Sequence, residues 1–434
     1  MNKQLAKDVP VLARTTYINL HGQEDDSSEV GLGIHAPGLF GLQEPGVPAR
    51  GDSAYLNASQ TELRKNVRHA IQHQNQTLLD AHYSATPRKR SRALAVADGG
   101  KQPIVEEPTA AISRRLTLKI RKFYAGRIFL ANSRPFSKSW IYDESLLLRN
   151  SAQSVPIDLS HTQGLAICFD NRSDKAGVTA FMVSGVSVCS FLGRGRLLPL
   201  KTYPSSSSKT CRSSAVHAAY SSAQPAMVDG ITDLALEHFQ AQYECPDINK
   251  EDLFYYVYGV LHSEDCRSMY MKDLRRDPPR IPVVQGLADF KAFSEAGRRL
   301  ADLHVNYDAA AEYPLRIDMR DCPPHLSHAD YWRVEQMAFG ARGNRTKIIY
   351  NEWISVSGIP LEAYDYVING RPAILWAMES QGIKIHAASG LSNDANRWAN
   401  EVVGDPAYPL KLVQRVITLA LETRKIVRAL PFLE

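Results

Sequence analysis

Between Asp252 and Ser263 the chain reads Asp-Leu-Phe-Tyr-Tyr-Val-Tyr-Gly-Val-Leu-His-Ser. Leu253, Tyr256, Val257, Val260 and Leu261 fall on one face of a helix that Asp247 or Asn249 can cap. The helix is otherwise apolar, so the aromatic stripe Phe254, Tyr255, Tyr256 and Tyr258 reads as core packing rather than a base-stacking platform. Its neighbours must cover it, and the sequence downstream offers them. Ser263 caps a helix predicted to run through Met269 to Leu274, ended by Pro278, Pro279 and Pro282. Phe293, Leu300 and Leu303 form one stripe of a longer helix, with Ala296 and Gly297 where another element can approach closely. Lys347 to Val356 reads as a strand turned by Gly358 and Pro360. A last helix runs from about Tyr408 to Leu430, with Leu412, Val416, Leu419 and Ile426 near coiled-coil spacing and Pro431 closing it.

Upstream the pattern is different. Ser59 to Glu62 opens a helix that continues through Leu63, Val67, Ala70 and Ile71 to about Leu79. Three apolar runs, 164–169, 178–183 and 186–192, separated by Asp, Asn and Gly, read as a small sheet. The fold class is therefore mixed α+β, a small sheet-containing half joined to a helix-rich half. Its expected divisions are a poorly patterned segment at 1–110, the sheet-containing part at 111–203, a serine-rich connection at 204–226 and the helix-rich part at 227–434.

With 434 residues, 44% hydrophobic and 22% charged, the chain can bury a large core. A net charge of +5 permits nucleic-acid contact without marking a histone-like binder. The 6 cysteines lie scattered from Cys168 to Cys322 without CxxC pairs, which points to reduced thiols. The opening residues carry no apolar signal-peptide core, and no stretch reaches the roughly 20 apolar residues of a membrane span. A cytoplasmic location with no membrane partner is expected.

Catalytic signatures are missing. An adenine methyltransferase needs a Gly-rich turn and an Asn/Asp-Pro-Pro-aromatic tetrapeptide, but Asp277-Pro278-Pro279-Arg280 ends in Arg and no Gly-rich turn precedes it. Gly99-Gly100-Lys101-Gln102 does not make a phosphate-binding P-loop, and Glu-x-Lys, part of a common nuclease metal site, does not occur. Cys322, His325 and His328 lack an evident fourth zinc ligand and read as an exposed loop rich in Pro323 and Pro324, while Cys266 with His262 lacks a third orienting group and reads as structural. No cofactor and no metal are expected.

Several ordered blocks resemble the C-terminal part of type ISP restriction-modification enzymes, a family of large single polypeptides with nuclease, translocase, methyltransferase and target-recognition regions. They are 252–263, Pro279-Arg280-Ile281-Pro282, 293–304, Ile348-Ile349-Tyr350-Asn351-Glu352, Ser357-Gly358-Ile359-Pro360, 363–367, Val416-Ile417-Thr418 and Leu421-Glu422-Thr423. The block 134–143 resembles the one immediately downstream of the family's methyltransferase core, and Arg50 to Tyr55 with Leu63 to Val67 resembles the segment before that block, so that 1–110 resembles the end of the methyltransferase region. The resemblance implies recognition of a short sequence in double-stranded DNA, for methylation or cleavage by methyltransferase, helicase and nuclease subunits. The other expectation is a remnant of a split gene acting as a non-catalytic docking subunit.

For DNA contact, Arg and Lys neutralise phosphates while Arg, Asn or Gln read base edges. Three patches offer this chemistry: Arg194 and Arg196 between glycines; Arg342, Asn344, Arg345 and Lys347 before a strand; and Arg114, Arg115, Arg121 and Lys122. Solvated surface is the other reading of each.

Overall fold

The structure is a computed structural model. It describes residues 16–19, 39–40, 54–83, 122–142, 164–173, 177–188, 191–193, 195–202, 227–275, 280–387 and 389–433. From the N-terminal side, β1 (Thr16–Asn19) and β2 (Leu56–Asn57) precede α1 (Gln60–Tyr83), and β3 (Ile128–Arg134) and β4 (Ser137–Tyr142) come next as a hairpin. Ser59 opens α1 as predicted, its hydroxyl accepting from the Glu62 amide at 3.4 Å. Leu63, Val67 and Ile71 pack with Tyr55 and Tyr142, which lays the helix on the sheet ordered β2-β4-β3. Two residues, Pro135 and Phe136, make the β3–β4 turn. Phe136 takes a positive φ of 59°, unusual for a bulky side chain. Its ring is only 1% exposed and meets Phe181 and Tyr307 edge-on, each at 5.5 Å, so packing holds the turn in place.

The middle of the molecule is an antiparallel sheet of β5 (Leu165–Ser173), β6 (Gly177–Ser184) and β7 (Arg196–Pro199), ordered β6-β5-β7. Alternate side chains leave it in opposite directions. Ala166, Cys168, Phe181, Val183 and Leu197 enter one hydrophobic core, while Ile167, Phe169, Ala180, Met182 and Leu198 enter another. Burial on both faces is why these strands are apolar without a polar alternation. Of the third expected run, Val186 to Leu192, the described residues form no strand of this sheet. They leave to meet β3, where the Asn132 side-chain amide donates to the carbonyls of Ser184 (2.8 Å) and Val186 (3.0 Å). β8 (Lys201–Thr202) then pairs with β9 (Val228–Asp229). The serine-rich connection itself lies outside the described residues.

The core that Ile167, Met182 and Leu198 enter is closed by α2 (Asp233–Gln242), α3 (Lys250–His262), α4 (Glu264–Met269), α5 (Met271–Leu274), β10 (Arg280–Val283) and α6 (Leu287–Val305). β1 pairs with β10. Asn249 caps α3 in a reciprocal box with Asp252, the two bonds each 3.0 Å. The single helix expected from Ser263 to Leu274 is broken at Tyr270, whose ψ of 17° turns the chain and whose ring is buried. Within α3, Phe254, Tyr256 and Tyr258 are fully buried, which makes the aromatic stripe scaffold. α3 and α6 cross at glycines. A Cβ on Gly259 would stand 2.2 Å from the Phe293 carbonyl oxygen and one on Gly297 1.9 Å from that of Tyr255, so only glycine permits the approach.

The second half of the chain builds a four-stranded antiparallel sheet ordered β11-β14-β13-β12, from β11 (Arg316–Met319), β12 (Ala338–Gly340), β13 (Asn344–Ile349) and β14 (Ile354–Ser357), with α7 (His328–Trp332) between the first two in sequence. The strand expected over Lys347 to Val356 is in fact a hairpin. Asn351 makes its turn, with Oδ1 accepting from the Trp353 and Ile354 amides while Nδ2 donates to the Tyr331 and Arg333 carbonyls. Next come β15 (Val367–Ile368), β16 (Arg371–Pro372), α8 (Ala373–Ser380), the ribbon β17 (Ile383–Ile385) and β18 (Ser392–Asp394), α9 (Ala395–Trp398) and α10 (Tyr408–Arg428). α10 ties the cores together: Leu412, Val416 and Leu419 enter the first, Ile426 the second. The architecture is the mixed α+β expected. Among the described residues no helix is long and apolar enough to cross a membrane.

Candidate nucleic-acid interface

The turn between β12 and β13 is Ala341-Arg342-Gly343, and it closes only because two successive residues take positive φ, 56° at Arg342 and 74° at Gly343. Glycine adopts this conformation without strain, whereas Arg342 does not. Asn344 folds back on the strand, its Oδ1 accepting from the Thr346 amide (3.0 Å) and hydroxyl (2.8 Å). Arg345 is fixed from beneath: the Tyr364 hydroxyl donates to its carbonyl at 2.7 Å, and its guanidinium stands 5.7 Å from the centre of the Tyr364 ring. Arg342, Asn344 and Arg345 are exposed, and Lys347 is half-buried opposite Ser357 in the ladder. Among the described residues none of these three cations forms an ion pair. The structure therefore brings the predicted 342–347 group together on a braced hairpin with positive charge left uncompensated.

The other predicted patches fare differently. Arg194 lies outside the described residues, and Arg196 is half-buried at the start of β7. Gly193 takes a φ of 83°, and a Cβ on Gly195 would meet the Cys168 sulfur at 2.9 Å, so these glycines serve the turn and the packing of β7. Arg114, Arg115 and Arg121 lie outside the described residues. Lys122 is exposed beside Phe123, whose ring stacks on Tyr142 at 5.6 Å and receives the Arg68 guanidinium at 4.8 Å.

A second cationic feature escapes sequence reasoning. A cleft of about 250 Å³ opens between the β3–β4 turn and the β17–β18 ribbon, with Arg134, Lys138, Lys384 and His386 in its lining. Both walls are fastened. Phe136 anchors the turn, and the ribbon is tied to the β2 region by Asn57 donating to the Ser392 carbonyl (3.1 Å) and the Ala58 amide donating to Asn393 Oδ1 (2.9 Å). Lys384 is exposed as a residue, yet its ammonium sits in a concave site. Desolvation there, then the charges of Arg134 and Arg371, push it down to about 8. Within the sequence these cations lie on two distant blocks, so only the fold makes them neighbours.

His262 and His304 are committed to the core. The Tyr258 hydroxyl accepts from the Met182 amide at 2.8 Å and shares a hydrogen bond with His304 Nδ1 at 2.6 Å, while His304 Nε2 faces the Thr423 hydroxyl at 3.0 Å. His304 also stacks between Phe181 (5.1 Å) and Tyr366 (5.4 Å). His262 Nδ1 donates to the Tyr258 carbonyl at 2.8 Å. Burial pushes His262 down to about 3 and holds His304 well below the usual imidazole range, while burial raises the Cys266 thiol to about 12. Neutral imidazoles and a protonated thiol in a packed core make a structural network rather than a nucleophile with its base. Cys322, His325 and His328 are all exposed, and His328 Nε2 accepts from the Trp332 indole at 3.1 Å. Among the described residues no three His, Cys, Asp or Glu side chains are grouped to hold a metal.

Similarity to known proteins agrees with this geometry. Residues 38–412 match the family model of the type ISP C-terminal specificity domain. A nuclease-deletion mutant of the type ISP restriction-modification enzyme LlaGI, solved in complex with a DNA substrate mimic, is 25% identical with a TM-score of 0.71, covering 96% of this chain and 34% of that one. The ATP-dependent type ISP enzyme LlaBIII bound to DNA is 24% identical (TM-score 0.72; 96% and 24% covered), and the DrdV–DNA complex is 20% identical (TM-score 0.70; 96% and 38% covered). The last two likenesses speak to the fold alone. This chain thus spans between 24% and 38% of the length of these structures. No curated protein matches it. With 38–412 matched, the chain belongs to the type ISP C-terminal specificity domain family.

Proposed function

We propose that this chain recognises a short sequence in double-stranded DNA and thereby directs methylation or cleavage, in a type ISP restriction-modification system, by modules whose motifs its own sequence lacks. The observation that carries the reading is the braced β12–β13 hairpin, with Arg342, Arg345 and Lys347 in no ion pair among the described residues, on a fold shared with enzymes solved in complex with DNA or a DNA mimic. Charge of this kind supplies affinity through the phosphates. The Arg345 guanidinium and the Asn344 Nδ2, whose Oδ1 is held by Thr346, add donors that can read base edges in the major groove. Arg196 and Lys122 belong to the same proposal as peripheral phosphate contacts, and so do Arg194, Arg114, Arg115 and Arg121 from their place in the sequence. The role is non-catalytic in this reading, since the buried His and Cys groups are taken up by internal bonds or held neutral.

Selection from random duplexes at moderate salt tests it. Enrichment of one short motif, lost when Asn344 and Arg345 are both replaced by Ala, is the expected result. A selected pool no different from the input would sink the reading.

A further inference from the structure

The cleft beneath the β3–β4 turn has a composition that folding alone does not call for. Arg134 ends β3, Lys138 lies in β4 and Lys384 in β17, and all three line one cavity whose described lining contains no carboxylate. Like charges gathered in a concave, partly desolvated site repel one another, a cost that an arriving anion relieves. Lys138 is partly answered by Asp308 at 3.8 Å, a carboxylate that also accepts from Tyr408 at 2.7 Å. Arg371, which lies close enough to act on Lys384, is paired with Glu379. Arg134 and Lys384 form no ion pair among the described residues. The walls add neutral polar groups at Ser137 and Asn393. Both walls are anchored, by Phe136 on one side and by the Asn57 and Asn393 bonds on the other, so the site is preformed and does not have to be assembled.

We propose that this cleft binds a phosphate group, with Arg134 and Lys384 as its principal contacts and Lys138, Ser137 and Asn393 around them. Its volume of about 250 Å³ admits one phosphate with its sugar and not a duplex, so a nucleic acid would enter by a single backbone position. The chemistry is common to a phosphodiester of bound DNA and to a free nucleotide. The phosphodiester source rests on the recognition function proposed above; the free-nucleotide source does not.

The experiment uses the full chain and three variants: Lys384→Gln, Arg134→Gln with Lys384→Gln, and Lys384→Arg as the charge-keeping control, each checked for an unchanged melting temperature. Inorganic phosphate and a nucleoside 5′-monophosphate are titrated by NMR, and the selected duplex by fluorescence anisotropy across a salt series. The double variant is expected to weaken phosphate and nucleotide binding at least tenfold, with Lys384→Arg retaining it. A simultaneous loss of duplex affinity of about tenfold, with the log–log salt slope falling by about one for each phosphate contact removed, identifies the phosphodiester source. Loss of phosphate binding with an unaltered duplex slope identifies the free nucleotide. Failure of phosphate and nucleotide to bind, or binding indifferent to both substitutions, overturns the proposal. A wild-type chain without sequence preference that still loses phosphate binding in the variants would sink the recognition reading and leave this site standing.

Discussion

The two main sheets of this molecule are built on opposite terms. The β6-β5-β7 sheet is buried on both faces, so Ile167 and Cys168, neighbours in the chain, serve two different cores and neither meets water. The β11-β14-β13-β12 sheet buries Ile348, Ile354 and Val356 on one side, while Lys347, Ser355 and Ser357 lie on the other face or near its edge. The first sheet serves to hold the fold together. The second keeps a face and a hairpin tip available, and there the uncompensated cations collect. Under the proposed function stability and recognition are thus separated in space, which lets surface residues on the second sheet change with little effect on the first.

The largest test of this division is a matched pair of truncations. Ile167→Ala, at a site fully buried between cores, is expected to cost about 3 kcal/mol in urea denaturation. Ile349→Ala, at a residue 37% exposed on β13, should cost less than about 0.5 kcal/mol. Equal losses would erase the distinction between the sheets.

The buried histidines beside the central sheet sharpen it through pH. His262 sits at about 3 in the folded chain against an ordinary value of 6.5, so the folded core accepts only its neutral form. Above pH 6.5 both states are neutral and the contribution to stability is complete. Below it the unfolded chain takes up a proton that the core refuses, and stability falls by up to about 1.4 kcal/mol per pH unit for one such histidine, until the folded value is reached. His304, shifted in the same direction, adds to the slope. A melting temperature that stays flat from about pH 7 to about pH 4.5 would show that this network is not holding its histidines neutral.

At the hairpin the effects shrink. Gly343→Ala forces a Cβ onto a φ of 74° in otherwise open space, and about 1 kcal/mol is expected from the backbone term alone, read by thermal denaturation. Arg345→Ala should change stability by less than about 0.5 kcal/mol while lowering duplex affinity and reducing the salt slope by about one. A large stability loss there would mean that the Tyr364 contact makes Arg345 part of the scaffold.

Local signals in the sequence carried much of the fold. Asn249 with Asp252, Ser263 and Ser59 mark helix starts that the structure keeps, because a cap is satisfied within a few residues of itself. Gly297 marks a close approach, although its partner Gly259 is hidden inside an apolar run. The departures from expectation share a cause, contacts made at long range. The hairpin at Asn351 depends on carbonyls of Tyr331 and Arg333, the departure of Val186 from the central sheet depends on Asn132, and Tyr270 breaks its helix while its ring enters the core.

For the candidate site the same division holds. The group from Arg342 to Lys347 is contiguous, so composition alone found it, and the fold added the brace from Tyr364 and the absence of ion pairs among the described residues. Arg134 and Lys384 could not be found this way, because their charges meet only when a hairpin and a ribbon close over one cleft. The sequence by itself determined which segments must be buried and where helices begin, since hydrophobic periodicity and capping act over a few residues. Tertiary structure alone decided which cations stand together without carboxylates, because electrostatic repulsion and desolvation depend on distances across the fold that no linear spacing encodes.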